Sequence, residues 1–301
     1  MPSLRDIKRR ITSVKNTRKI TRAMKLVATS KLRKATEAAL AAKPYQETLS
    51  ELLQQVMGSG ALGDGDMSHP LLNVPKNQND VLLIVFSSDR GLCGGFNAQL
   101  LKFVNKTIKD LQSAGKSVEL MLYGKKGIQA FGDGKKVKSS VVKSIQGLDP
   151  KIFDGSAKEL AEDLVVRLSN NQFSKALLCY NKFQSVMTQT PTASQVLPMN
   201  ISDTDTESSK EVSSNSSSDY IYEPSGEEII SEILPMVLRA QLLQAFLETE
   251  AGEQAARMQA MDNATRNAGE LIDRLTLQYN RARQASITKE LIEIISGAEA
   301  L

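Results

Sequence analysis

The sequence predicts an α/β protein in which two long terminal helices flank a central domain built around a β-sheet. At both ends of the chain, apolar residues recur in alternate steps of three and four, which is the spacing of a seam between paired helices. Between the ends, short aliphatic runs alternate with segments of helical spacing. This alternation favours a sheet that is at least partly parallel, because crossover helices place successive strands side by side.

The first helix is predicted over residues 1–57 and carries a long apolar seam with small alanines at its later positions. The seam comprises Leu4, Ile7, Ile11, Val14, Arg18, Thr21, Lys25, Ala28, Leu32, Ala35, Ala39 and Ala42. Only the three consecutive members from Arg18 to Lys25 are not apolar. A neighbouring stripe of Ile20, Met24 and Val27 is expected to take over there, so that the apolar face rotates around the helix.

The last helix is predicted over residues 226–301 and has a seam of the same spacing. That seam comprises Met258, Met261, Thr265, Ala268, Ile272, Leu275, Tyr279 and Ala282. A helix of this length needs a partner along its length, and residues 3–57 are the one comparable element, so we expect an antiparallel coiled coil of the two ends. Pro44 and Pro235 are each expected to bend their helix or to interrupt its hydrogen bonding.

The central domain is predicted over residues 78–200, with five strands and three helices. The strands are expected at 81–86, 118–123, 137–142, 175–180 and 186–189. The helices are expected at 98–111, 126–131 and 157–168. Residues 202–219 contain eight serines and five acidic residues, a composition typical of a mobile loop.

Composition excludes several classes of protein. Two cysteines and one histidine among 301 residues cannot build a disulfide scaffold or a zinc cluster, so no metal and no cofactor are predicted, and a reducing compartment is expected. The longest aliphatic and aromatic run has six residues, so no helix is expected to cross a membrane. Residues 1–43 carry 13 basic and two acidic side chains, whereas residues 229–301 carry seven basic and ten acidic ones. Opposite net charges on the two ends favour their lying side by side.

A glycine-rich loop at residues 87–97 follows the first strand and is the one place where a phosphate could bind. Its glycines fit neither the dinucleotide fingerprint nor the P-loop spacing, so a structural turn is the favoured interpretation. Asp89 and Arg90 form either a site or a pair that fixes the loop. Cys93 is interpreted as a small packed side chain, and His69 as a surface loop residue.

Three separated motifs resemble one family. They are residues 19–33 (KITRAMKLVATSKLR), the loop 88–97 (SDRGLCGGFN) and the ending 284–298 (QASITKELIEIISGA), in which Ile287, Thr288, Glu290, Glu293, Gly297 and Ala298 fall at signature spacing. Together they closely resemble the gamma subunit of F-type ATP synthase, over essentially the whole chain. The resemblance implies a long antiparallel coiled coil of the N- and C-terminal helices plus a central Rossmann-like α/β domain.

The resemblance also implies a function. The chain would be a non-catalytic rotor shaft inside a ring of three alpha and three beta subunits, coupling proton-driven rotation of the membrane c-ring to ATP synthesis and influencing ATPase activity and proton flow. Its α/β domain would lie near the epsilon subunit and the c-ring. It would be a peripheral protein on the cytoplasmic side of the inner membrane, with only indirect membrane contact and no nucleic-acid partner.

By matched position, the resemblance implies contacts with the beta subunits. The residues concerned are Met24, Lys25, Arg257, Gln284, Thr288, Glu290 and Glu293. A carboxylate on a partner would explain the charges of Arg18 and Lys25 in the seam, whereas the alternative is an ordinary solvated helix face. Redox control is not expected, because residues 190–230 contain no cysteine.

Two other classes of function remain open from the residues alone. A basic coiled-coil protein that binds nucleic acid would lose affinity steeply with salt. A nucleotide-dependent α/β enzyme would bind a phosphate at residues 91–97. Neither accounts for the motif at residues 287–298.

Overall fold

The computed structural model of the chain describes residues 3–58, 69, 71–72, 79–132, 140–147, 149–199 and 226–299. The chain divides into two compact units. The first, called the arm here, consists of Met1–Ser30 and Arg257–Leu301, and the second, called the α/β unit, consists of Lys31–Ala256.

The α/β unit is built on one five-stranded sheet. Its strands are β1 (Asp80–Phe86), β2 (Ser117–Tyr123), β3 (Ser140–Ile145), β4 (Lys175–Phe183) and β5 (Gln189–Leu197). The strand order is β3-β2-β1-β4-β5; the first four strands run parallel, and β5 pairs antiparallel with β4. The predicted, partly parallel α/β sheet is therefore confirmed. The run Val81–Phe86 of β1 is buried throughout, as expected of a central parallel strand covered on both faces.

Three helices connect the parallel strands. They are α2 (Phe96–Ser113), α3 (Lys125–Phe131) and α4 (Phe153–Ser169), the last preceded by a 3₁₀ turn at Pro150–Ile152. Helix α2 buries Leu100, Val104 and Ile108, which recur every four residues, against one face of the sheet. The opposite face packs against α4 and against the segments of both terminal helices that belong to this unit.

The terminal helices are α1 (Leu4–Gly58, 55 residues) and α5 (Gly226–Glu299, 74 residues). Both are single α-helices with a proline inside, Pro44 in α1 and Pro235 in α5. The helices therefore continue past both prolines, each of which removes one backbone N–H donor from its helix without ending it.

Two strand predictions were wrong in position. The third strand was expected at 137–142 and lies at 140–145; of the predicted residues, 137–139 fall outside the described part of the chain. The fifth strand was expected at 186–189, but β5 begins at Gln189. Residues 184–188 form the turn before it, in which the Ser185 hydroxyl oxygen accepts from the N–H groups of Met187 and Thr188. The predicted mobile loop at 202–219 also lies outside the described residues.

One helical segment, Glu228–Ser296, contains an 18-residue window that is apolar enough to cross a membrane by length and composition, with a mean hydropathy of 1.3. The chain itself buries 44% of that window. Core helices of soluble proteins pass the same test, so the expectation that no helix spans a membrane stays a prediction.

Candidate functional site

The arm pairs the first half of α1 with the second half of α5. Side chains of the two helices meet at residues 21–25 and 262–265: the Thr265 hydroxyl lies 2.7 Å from the Thr21 hydroxyl oxygen, and the Lys25 ammonium lies 2.7 Å from a carboxylate oxygen of Asp262. A later residue of α1 meets an earlier residue of α5, so the two helices run antiparallel. The predicted antiparallel coiled coil is confirmed.

Burial in the arm follows the predicted seam. The seam residues that are less than one tenth exposed are Ile7, Thr21, Ala28, Met261, Ala268, Ile272 and Leu275. The expected rotation onto the neighbouring stripe was wrong, because Ile20 and Val27 are 60% and 58% exposed. Thr21 can be buried in the seam because its hydroxyl is hydrogen-bonded twice, to the Arg18 carbonyl oxygen of its own helix and to the Thr265 hydroxyl of the opposite helix.

The charge of Lys25 has a partner within the chain. Sequence considerations allowed either a carboxylate on another subunit or a solvated charge; the structure places Asp262 beside it. The ammonium holds the pKa of Asp262 below its usual range, through a hydrogen bond and through its charge. Both side chains stay partly open to solvent, at 39% and 54% of their surface, so the pair leaves Lys25 accessible from outside.

The other predicted contact residues fall into two groups. Met24 is half-buried and Arg257 is only 8% exposed, so a solvated helix face does not describe Arg257. The remaining four, Gln284, Thr288, Glu290 and Glu293, are exposed. Their bonds stay within the helix: Thr288 donates to the Gln284 carbonyl oxygen at 2.9 Å, and Glu293 pairs with Lys289 at 3.7 Å.

The end of α5 carries large apolar side chains that the chain itself leaves uncovered. Between 50% and 71% of the surface of each is exposed, and they are Ile287, Leu291, Ile292, Ile294 and Ile295. On α1, Ile20, Leu26 and Val27 are similarly exposed, at 58–65%. Contiguous exposed apolar side chains mark binding surfaces more often than they mark ordinary solvent-facing helix.

The glycine-rich loop of the α/β unit is held by hydrogen bonds within the loop and to two neighbouring loops. The Asp89 carboxylate accepts from the backbone N–H of Lys125 at 2.7 Å and of Gly147 at 2.8 Å. The Asn97 amide group donates to the Ser88 hydroxyl at 2.7 Å. Asp89 thus joins three loops at the carboxyl edge of the sheet through backbone N–H groups, whereas its predicted pairing with Arg90 stays a prediction.

The two cysteines and the histidine are packed or hydrogen-bonded within the chain. Cys93 and Cys179 are both free thiols and buried, so the interpretation of Cys93 as a packed side chain is confirmed. His69, interpreted as a surface loop residue, is half-buried: its Nδ1 accepts from the Leu71 N–H, and burial lowers its pKa. Within the described ranges, no three His, Cys, Asp or Glu side chains group as metal ligands.

Comparison with known proteins identifies the family. A family model described as ATP synthase matches residues 3–301. The ATP synthase gamma chains of Ruegeria sp. (strain TM1040) and Paracoccus denitrificans (strain Pd 1222) are 46% and 47% identical to this chain, over the full length of both sequences. The chain belongs to the ATP synthase gamma-chain family. The resemblance carried by the three sequence motifs is therefore confirmed.

Solved structures agree with this fold. One chain in the structure of the Tetrahymena thermophila mitochondrial ATP synthase central stalk and c-ring is similar. The match covers 81% of this chain and 99% of that chain, with a TM-score of 0.53 and 23% identity. For a chain in the structure of the Euglena gracilis mitochondrial ATP synthase rotor, the match covers 94% of this chain and 98% of that chain, with a TM-score of 0.59 and 15% identity. At these identities the similarity concerns the fold, a terminal coiled coil with a central Rossmann-like domain.

Sequence reasoning missed Asp262. The residue lies next to Met261 and outside the apolar seam, so the seam spacing does not single it out. A signal did exist, because aligning the two predicted seams in antiparallel order through Thr21 and Thr265 brings Lys25 close to Asp262. Pairing the two helices residue by residue, instead of describing each alone, would have found it.

Proposed function

We propose that this gamma chain is the rotating shaft of its ATP synthase. It couples proton-driven rotation of the membrane ring to conformational change at the nucleotide sites of the beta subunits, and it carries no catalytic site of its own. The observation that supports this most directly is full-length identity of 46–47% with curated gamma chains.

An asymmetric shaft explains how rotation acts on catalysis. One copy of the arm inside a ring of three alpha and three beta subunits meets each beta subunit with a different surface. Each beta subunit then favours the conformation that binds the surface in front of it, and turning the arm changes which one that is. Moving one subunit from a 1:99 to a 99:1 population needs about 5.5 kcal/mol of differential binding.

The exposed surface of the arm suits this role. The apolar end of α5, from Ile287 to Ile295, would be covered by the surrounding ring, which accounts for side chains that are otherwise left in water. The remaining contacts to the beta subunits would come from the residues matched by resemblance. They are Met24, Lys25, Arg257, Gln284, Thr288, Glu290 and Glu293.

The α/β unit would connect the arm to the membrane sector. We assign it contacts with the epsilon subunit and the c-ring, and we place the chain on the cytoplasmic side of the inner membrane as a peripheral protein. The similar Tetrahymena thermophila structure is described as a central stalk and c-ring, and the similar Euglena gracilis structure as a rotor. Those descriptions support the assignment.

Reconstitution tests the proposal directly. The chain is co-expressed with the alpha and beta subunits of its own organism, the stoichiometry is determined by native mass, and the ATPase rate is measured with and without the chain. We expect three alpha subunits, three beta subunits and one copy of this chain, in a complex more active than alpha and beta alone. A chain that stays outside the complex would overturn the proposal, and salt-dependent nucleic-acid binding by α1 would then be the next test.

A further inference from the structure

Two polar contacts interrupt an otherwise apolar seam in the arm. The Thr21 and Thr265 hydroxyl oxygens lie 2.7 Å apart, and each hydroxyl also has a carbonyl acceptor in its own helix, that of Arg18 at 3.1 Å for Thr21 and that of Met261 at 2.7 Å for Thr265. Thr21 is 9% exposed. Each hydroxyl thus finds its partner in the seam, and neither is left without a hydrogen bond.

The second contact lies one helical turn away on each helix. Lys25 follows Thr21 by four residues and Asp262 precedes Thr265 by three, so the ion pair stands on the same side of the arm as the threonine pair. We call these four residues, Thr21, Lys25, Asp262 and Thr265, the polar layer.

The polar layer distinguishes one alignment of the helices from its alternatives. Counting in antiparallel order from the Thr21–Thr265 contact along the seam spacing places Val14 opposite Ile272. A shift of α5 by one heptad would bring Ile272 or Met258 opposite Thr21, so that its hydroxyl would face an apolar side chain. The apolar seam residues pack against one another in either alignment, so they discriminate weakly. Polar seam residues are the usual means by which coiled coils specify register.

We infer that Asp262 is a positioning residue for coupling. With the threonine pair it sets the register of α1 against α5, and it holds the Lys25 ammonium at one place on the surface of the arm. The inference rests on the proposed function in one respect, since Lys25 and Met24 are taken there as contacts to the beta subunits. Asp262 acts through Lys25 and needs no contact with a partner itself.

Disulfide cross-linking measures the register in the full chain. Val14→Cys with Ile272→Cys reports the observed alignment, and the native thiols of Cys93 and Cys179 are buried and do not compete. We compare Asp262→Asn and Asp262→Lys with the charge exchange Lys25→Asp, Asp262→Lys. Asp273→Asn is the matched control, because it removes another exposed carboxylate from the same helix.

We expect Asp262→Asn to slow cross-linking by about two- to fivefold, the effect of losing one partly exposed ion pair. Asp262→Lys should slow it at least as much, because two ammonium groups then face each other. The charge exchange should return the rate to within about twofold of the parent, and Asp273→Asn should leave it unchanged. Equal rates in Asp262→Asn and Asp273→Asn, or no recovery in the exchange variant, would overturn the assignment.

Protons pumped per ATP hydrolysed, measured in the assembled enzyme, supply the second readout. Coupling should fall in Asp262→Asn and Asp262→Lys and be largely kept in Asp262→Glu, which leaves a carboxylate beside the Lys25 ammonium. The exchange variant replaces Lys25 itself, so it should recover cross-linking without recovering pumping. Full pumping by Asp262→Asn and Asp262→Lys, or pumping by Asp262→Glu as low as that of Asp262→Asn, would overturn the positioning role of Asp262. Failure of the parent complex to assemble or pump would count against the proposed function instead, while the cross-linking result on the chain alone would still decide the register.

Discussion

Gly124 packs directly against the backbone of Ser87, at the carboxyl edge of the sheet. Gly124 has φ of +99°, and a Cβ placed on it would overlap the Ser87 carbonyl oxygen. Its N–H donates to the Ile145 carbonyl oxygen at 2.8 Å, and the Ser87 hydroxyl oxygen accepts from the Gly127 N–H at 2.7 Å. The ends of β1, β2 and β3 are thus held together at a point where only glycine fits.

Gly124→Ala should therefore destabilise the α/β unit strongly. The substitution combines a backbone conformation that is costly for alanine with a steric overlap against backbone that cannot move aside, and we expect a loss of at least about 3 kcal/mol. Urea unfolding of the purified chain measures it.

Two other glycines serve as controls for Gly124. Gly115 has φ of +76° and open space around it, so Gly115→Ala should cost about 1 kcal/mol, from the conformation alone. Gly155 lies in α4 with no atom near its Cβ position, and Gly155→Ala should stabilise by about 0.5–1 kcal/mol. A Gly124→Ala loss no larger than that of Gly115→Ala would contradict the steric argument.

Asp89 offers a second test of the same edge. Asp89→Ala removes the acceptor of the Lys125 and Gly147 N–H groups, and we expect a loss of about 1–2 kcal/mol, since both amides can recover part of their bonding from water. Asp89→Asn keeps one acceptor oxygen and should lose less. Asp110→Ala, on the exposed surface of α2, should change the midpoint by no more than about 0.5 kcal/mol. Equal effects of Asp89→Ala and Asp110→Ala would sink the idea that Asp89 fixes the loop.

The buried thiol of Cys179 predicts a pH dependence of reactivity and of stability. Burial raises the pKa of Cys179 from its ordinary value of 9.0 to about 12, so at pH 8 roughly one thiol in ten thousand is ionised. In a Cys93→Ala variant, labelling at pH 8 should proceed only as fast as the chain unfolds, whereas the unfolded chain should react at once. Rapid labelling of the folded variant would contradict the burial.

The same pKa sets the sign of the stability effect. The folded-state pKa is raised, so the folded state keeps its proton after the unfolded state has lost it. The contribution of Cys179 to the free energy of unfolding is therefore complete below pH 9 and is lost as the pH rises toward 12. Cys179→Ala should remove that alkaline decline, in denaturation midpoints measured between pH 8 and pH 10.5.

Much of the fold could be predicted because the spacing of apolar residues is regular over long segments of the sequence. The seams of α1 and α5 each keep one spacing over several heptads, and β1 is a continuous apolar run, so element type and layer follow from periodicity alone. Strand β5 shows the limit of that reasoning. Its sequence, QTPTASQVL, is mostly polar with a proline, as suits an edge strand, whereas the apolar Val186 and Met187 before it lie in a turn.

The candidate site was less accessible from sequence, because it depends on register and on partners. Lys25 stood out as a charge in an apolar seam, yet its partner Asp262 lies 237 positions away and is adjacent only once the helices are aligned. Arg257 was predicted as a contact with the beta subunits, with a solvated helix face as the alternative, and neither interpretation anticipates that only 8% of it is exposed. The seam of a helix predicts which face its partner helix covers. It does not predict which polar side chains of the two helices meet on that face.

The apolar end of α5 predicts a loss of association on a single substitution. Ile294 is 71% exposed in the chain, so Ile294→Asp should leave its stability unchanged, while in the complex it should lose the burial of one isoleucine. That loss, about 1.5–3 kcal/mol, corresponds to roughly 10- to 150-fold weaker binding to alpha and beta subunits. Val166→Asp places the same change on α4, where the valine is 58% exposed, and should not alter binding. Equal binding by both variants would refute a ring around the end of α5.

Substitution of Arg257 tests the coupling of ATP hydrolysis to proton pumping. Arg257→Ala should lower ATP-driven proton pumping relative to ATP hydrolysis, because a contact that changes with rotation is lost while the arm keeps its helical pairing. Since Arg257 is buried, its removal can also loosen packing, so Arg257→Lys, which retains the charge and most of the stem, should recover part of the pumping. Arg266→Ala removes an exposed arginine of the same helix and should pump as the parent does. Circular dichroism establishes that each variant retains its helices. Pumping by Arg257→Ala equal to that of Arg266→Ala would exclude Arg257 from the coupling contacts, even if the shaft role stands.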